Sequence, residues 1–147
     1  MSTRTVTVST ELPIPAETAA ALARKPEMMR YVLSPVLTAR DMDIPETVEV
    51  GTHGSGRFWW FGVIPGWTHH ITVLRLEPTE IYTNEHGGPV TVWNHRLTFE
   101  PIDEHRCRYT DEIEVEGGLR GAPTRAFIRL MFAHRHRRWR RLAAILA

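Results

Sequence analysis

Between Glu46 and Glu116 the chain has room only for hairpins. Strand-like runs at about Glu46 to Thr52, Gly56 to Ile64, Trp67 to Leu76, Glu80 to His86, Val90 to Phe99 and Arg106 to Glu116 are separated by "HGSG", "PG", "EPTE", "HGGP" and "PIDEH". Links this short join antiparallel neighbours. A further strand, Arg4 to Thr10, alternates strictly through "TVTVST". Pro15 suits the first turn of a helix that continues through the alanine-rich Glu17 to Arg24. Pro26 breaks that helix, and a second short one follows from Glu27 to Val32. Ser34 to Pro45, with its prolines and scattered charges, reads as an irregular crossing segment. After "GGLRGAP" the chain from Thr124 to Leu146 reads as one helix, roughly 34 Å long at 1.5 Å per residue. This order predicts an α+β protein, with a curved antiparallel sheet of about seven strands around a long C-terminal helix and two short helices after strand 1. Sheet and helix cannot pack flush everywhere, which predicts a cavity between them.

The 147 residues suit a single domain, 1–147, with a continuous core. "HRHRRWRR", His134 to Arg141, is strongly basic, yet the formal net charge is only +1. A nucleic-acid partner is therefore not expected. The single cysteine, Cys107, excludes an internal disulfide. No signal-peptide core opens the chain and no run reaches transmembrane length. These features predict a cytoplasmic protein without stable membrane insertion. "GTHGSG" and "GGLRG" lack the P-loop lysine and the strand-to-helix setting of a dinucleotide site, and read as loops at the cavity mouth. No G-x-S-x-G is present and no cofactor is expected.

The order of elements, with "VWNHRLTFEPIDEHRCRYTDEIEV" before the arginine-bearing helix, resembles the helix-grip fold of the START and birch-pollen-allergen superfamily (SRPBCC). That superfamily includes polyketide cyclase/dehydrase and lipid-transport proteins. The resemblance covers essentially the whole chain. It implies a cavity for a hydrophobic ligand, in some branches adapted to cyclisation or dehydration.

Turn lengths set an expected register, and alternate residues share a face. A turn at "IPGW" pairs Ile64 with Trp67, Trp60 with Ile71 and Gly62 with His69; the next turns add Tyr82, Asn84, Trp93 and His95 to that face. Centring the last hairpin on Asp103 pairs His95 with Asp111 and Leu97 with Tyr109. The inner face so defined also holds Phe58, Val73, Phe99, Ile113 and Val115, while the other face is largely charged. Trp59 and Phe61 fall on the polar face, as a homodimer contact or beneath local cover.

Three readings of His95 and Asp111 follow from this register. The pair satisfies itself in the core, or anchors a ligand, or acts as an oriented general base. Trp60, Trp67, His69, Tyr82, Asn84, Trp93 and Tyr109 are the ligand-binding candidates of the sheet. His69, His95 and Asp111 formally make a two-His-one-carboxylate set, but they stand on separate strands without helical ligand spacing, and no metal is expected.

Winding the last helix at 100° per residue aligns Phe127, Leu130, Met131, Leu142 and Ile145, with Ile128, Trp139 and Leu146 flanking. Arg125, Arg129, His136, Arg137 and Arg140 lie opposite and read as solvated. Met131, His134 and Arg138 point to the sheet and complete the ligand-binding candidates. Asp111 is the expected partner of Arg138 or Arg135, with Glu116 as another. Three functions remain open: binding of a small hydrophobic molecule; a cofactor-free cyclase or dehydratase using His95 and Asp111, with Tyr82 or Tyr109 polarising a carbonyl; and weak nucleic-acid or anionic-membrane association through the arginine helix.

Overall fold

The computed structural model describes residues 3–88, 90–116 and 121–147. The elements run β1 (Thr3–Leu12), α1 (Ala16–Ala23), α2 (Pro26–Leu33), β2 (Leu37–Asp43), β3 (His53–Trp60), β4 (Ile64–Glu77), β5 (Glu80–Gly87), β6 (Val90–Pro101), β7 (Cys107–Glu116) and α3 (Gly121–Leu146). The seven strands form one antiparallel sheet in the order β1-β7-β6-β5-β4-β3-β2, so only the β1 to β7 pairing is non-local. α3 packs against β1, β7 and α2. This is the helix-grip α+β arrangement.

One strand stands elsewhere than its sequence predicts. Leu37–Asp43, read as an irregular crossing, is edge strand β2, and the expected strand Glu46 to Thr52 belongs to the loop between β2 and β3. Charges and flanking prolines are how sheet edges resist unwanted pairing, so the same residues that argued against a strand suit an edge. That loop is tied down by two backbone bonds, Gly51 N to Val73 O at 2.8 Å and Val73 N to Thr52 O at 2.9 Å.

Three registers also differ. The β3–β4 turn is Phe61 to Val63, not "PG": Trp60 pairs with Ile64, and Gly56 with His69. Phe61 (φ 51°) and Gly62 (φ 75°) take the left-handed conformation that a tight hairpin turn requires. Gly66 then runs so close to β3 that a Cβ on it would stand 2.5 Å from Phe58 O. Ile64 is consequently exposed at the hairpin end. Trp59 is half-buried and covered by guanidinium groups, Arg40 at 4.5 Å and Arg57 at 5.9 Å from its ring.

In β4 a bulge between Val73 and Arg75 makes Leu74 an extra residue. It exchanges the faces of β4 on either side of it, so Leu76 pairs with Ile81 on the inside near the turn, while Val73 pairs with Thr83 beyond it. The inner residues of β5 are therefore Ile81, Thr83 and Glu85, all buried. Tyr82 and Asn84 face outward. Arg96 lies over the Tyr82 ring at 4.5 Å, and Asn84 Nδ2 donates to Asn94 Oδ1 at 2.9 Å. In the last hairpin His95 pairs with Ile113 and Leu97 with Asp111, two residues from the expected register but on the expected face.

Candidate functional site

The inner face holds three apolar clusters. One contains Leu12, Val32, Ile81, Leu97, Phe99, Tyr109 and Trp139. A second contains Val6, Trp93, Ile113, Ile128 and Phe132. The third contains Leu33, Leu37, Phe58 and Met131. A chain of five buried ionisable side chains touches all three: His69 stacks on Phe58 at 4.9 Å, His95 meets the edge of Phe132 at 5.0 Å, and His136 stacks on Tyr109 at 4.6 Å.

Its hydrogen bonds alternate acid and base across five elements, β4, β5, β6, β7 and α3. Trp67 Nε1 donates to His69 Nδ1 at 3.2 Å. Indole nitrogen only donates, so His69 Nδ1 accepts and its Nε2 carries the proton given to Glu85 Oε1 at 2.8 Å. Glu85 Oε2 also accepts from Thr83 Oγ1 at 2.8 Å and from His95 Nδ1 at 3.0 Å. His95 Nε2 donates to Asp111 Oδ1 at 2.6 Å, and His136 Nε2 to Asp111 Oδ2 at 2.7 Å.

His95 thus stands between two carboxylates with both nitrogens donating. Burial favours its neutral form, but the Asp111 charge, the hydrogen bonds to Asp111 and Glu85, and the Glu85 charge outweigh it and push the pKa up to about 9. Asp111 is held well below the usual carboxylate range: burial opposes ionisation, and the charge of His95, hydrogen bonds from His136 and His95, and the charge of Arg135 overcome it. Glu85 is lowered likewise, its burial outweighed by the hydrogen bonds and charges of His69 and His95. The Tyr109 hydroxyl is raised well above its ordinary value by burial and by Asp111.

The expected His95–Asp111 contact is present, but the nitrogen expected to face the pocket is taken by Glu85. His136, expected in solvent, is fully buried on Asp111. The buried face of α3 is accordingly turned from the expected stripe: Ile128, Met131, Phe132, His136, Trp139 and Ala143 are buried, and Leu130 and Ile145 exposed. Arg138 and His134 point inward but reach α2 rather than Asp111. Arg138 Nε donates to Tyr31 O at 3.1 Å and its guanidinium lies 4.0 Å from the Tyr31 ring, while His134 Nε2 donates to Ser34 O at 2.9 Å. Arg135 is the arginine whose charge acts on Asp111. The Glu116 side chain and residues 117–120 of "GGLRG" lie outside the described residues.

Beside the polar chain lies a cavity of about 140 Å³. Its apolar walls include Met28, Val32, Val73, Ile81, Leu97 and Trp139, and Ile44, Val48 and Thr52 of the β2–β3 loop close one side. Thr83, Glu85, His95 and Arg135 form its polar side, and the partly buried Arg24 and exposed Lys25 also line it. Trp67, His69, Trp93 and Met131 border a separate chamber of about 30 Å³, too small for an organic ligand. Trp60 packs on Trp67 and Phe127, and Tyr109 lies among Phe99, His136 and Trp139. Of the predicted site residues, His95 alone lines the larger cavity. Among the described residues no group is arranged to hold a metal ion; Glu85 stands between His69 and His95.

Comparison with known families places this architecture. A model for a domain of unknown function, DUF8410, matches residues 10–143. The chain belongs to that family. No curated protein matches it in sequence. Solved structures similar to this member of the family include protein CV1439 from Chromobacterium violaceum, at TM-score 0.78 and 15% identity, covering 95% of this chain and 96% of that one. A START superfamily protein from Mycobacterium smegmatis matches at 0.74 and 16%, covering 97% and 99%. The Zhui aromatase/cyclase from Streptomyces sp. R1128 matches at 0.74 and 13%, covering 97% and 94%. At such identities the likeness establishes the fold, which is START-like.

Proposed function

We propose that this protein binds a small, mainly apolar molecule in the cavity between α2, α3, the β2–β3 loop and the sheet. The observation that carries this reading is the cavity itself, apolar on most sides with a few convergent polar groups at one end. A cavity of about 150 Å³ accommodates one benzene-sized ring, so the space of about 140 Å³ suits a single ring or a short branched chain. A multi-ring polyketide or a long acyl chain exceeds it.

The alternative of a cyclase or dehydratase needs His95 to take a proton from substrate. Both its nitrogens already donate to carboxylates, so binding without turnover is the reading we adopt. Its test is a ligand-induced rise in melting temperature with toluene as probe, since a ligand selective for the folded state stabilises it. The wild type is expected to show a saturable rise, and folded Val73→Trp, whose indole fills the cavity, none. An equal rise in that variant would put the binding elsewhere and overturn the proposal.

A further inference from the structure

Arg135 borders both the main cavity and the small chamber. Its guanidinium lies over the Phe132 ring at 4.6 Å, and its Nε is sealed from solvent with no hydrogen-bond partner among the described residues. The other polar groups at this end are engaged with one another: Thr83 and His95 donate to Glu85, and His95 to Asp111. The nearby Tyr109 hydroxyl, itself buried without a hydrogen bond, feels the Arg135 charge. Arg135 Nε, however, forms no hydrogen bond among the described residues and is left a buried donor with capacity to spare. An acceptor oxygen brought in by a ligand would use that capacity.

The charge of the cluster decides what kind of oxygen. Glu85 and Asp111 contribute two negative charges, and Arg135 and the doubly donating His95 two positive ones. His69 and His136 each need only one ring proton for their bonds to the acids. The cluster around Arg135 is thus balanced before any ligand enters. Arg24 and Lys25 also line the cavity, but a carboxylate or phenolate seated at Arg135 would stand beside Glu85 and add a charge that the cluster does not compensate. A carbonyl adds none.

Resting on the cavity-binding reading above, we infer that the ligand is an uncharged carbonyl compound of one ring or equivalent size, its oxygen accepting from Arg135 and its apolar body lying against Val32, Val73, Ile81 and Leu97. The role is selective: a site built to hydrogen-bond one oxygen rejects an analogue without it.

Three probes of matched shape test this by calorimetry on the full chain at neutral pH: acetophenone, ethylbenzene and benzoate. Ethylbenzene reports the apolar cavity alone. In Arg135→Met the affinity for acetophenone relative to ethylbenzene is expected to fall about tenfold, the size of one charge-assisted hydrogen bond, with ethylbenzene binding retained. Arg135→Gln, which keeps an N–H donor, should recover part of the difference. Benzoate is expected to bind wild type at least tenfold more weakly than acetophenone. An unchanged acetophenone to ethylbenzene ratio in Arg135→Met overturns the role of Arg135, and benzoate as the tightest ligand overturns the uncharged head group. If neither neutral probe binds wild type, the cavity reading fails as well, which separates the two claims.

Discussion

His95 carries a charge that the fold both needs and confines. Its ordinary value of 6.5 applies to the unfolded chain, and the folded value is about 9. A group whose pKa rises on folding stabilises fully below its unfolded value and loses that contribution as pH rises through the folded one. The difference of about 2.5 units corresponds to about 3 kcal/mol at 1.36 kcal/mol per unit. Glu85 and Asp111, both lowered, act oppositely: their contribution is present above about pH 4 and lost as pH falls through their folded values. Urea unfolding should therefore show greatest stability between roughly pH 4.5 and 6.5 and a loss of about 3 kcal/mol on going to pH 9. The His95 ring protons, followed by NMR, should titrate near pH 9. An identical slope in His95→Gln, or His95 titrating near 6.5, would contradict the assignment. At this scale the sequence was legible wherever alternation was regular: His69, Trp93, His95 and Asp111 all face inward as their spacing predicts. Glu85 was hidden because one bulged residue, Leu74, reverses the face of its neighbours, and nothing in "ITVLRLE" marks the bulge. His136 was hidden because the expected stripe included Leu130 and Ile145, which are exposed, and so put His136 on the opposite side of the helix; its partner on β7 is what makes burial tolerable.

The elements divide the work between the sheet and the cover that α2 lays over the cavity. Six of the seven strands lie close to where period and turn chemistry predict them, whereas β2 was masked by the charges and prolines that make a safe edge. α2 is held to α3 by reciprocal bonds, Arg138 Nε to Tyr31 O and Tyr31 Oη to Arg138 O at 2.9 Å, with the cation over the same ring. These contacts, rather than a bond to Asp111, explain why Arg138 points inward from an otherwise solvated run. Since Met28, Met29 and Val32 of α2 wall the cavity, loosening this clamp should open it. Arg138→Ala is expected to cost about 1–2 kcal/mol, the loss of a hydrogen bond and a cation–π contact. Amide hydrogen exchange should accelerate in 26–33 while β6 and β7 remain protected. Uniform acceleration through the sheet would mean that α2 does not open separately.

For the molecule as a whole, α+β class, strand number and the closing helix were legible because consecutive hairpins leave few topologies. The cavity wall was less so. Ile44, Val48 and Thr52 come from a loop whose course is set by backbone bonds to Val73, which no periodicity encodes. The aromatic residues expected around a ligand instead pack on each other over the small chamber. No described helix is long and apolar enough to cross a membrane. The central claim is that a one-ring molecule enters the space between sheet and helix. Methyl NMR during titration with acetophenone tests it most directly. Saturable shifts confined to Val32, Val73, Ile81 and Leu97, with Leu130 and Ile145 on the outer side of α3 unmoved, are the predicted result. Unmoved cavity methyls, or shifts that appear first at Leu130 and Ile145, would contradict it.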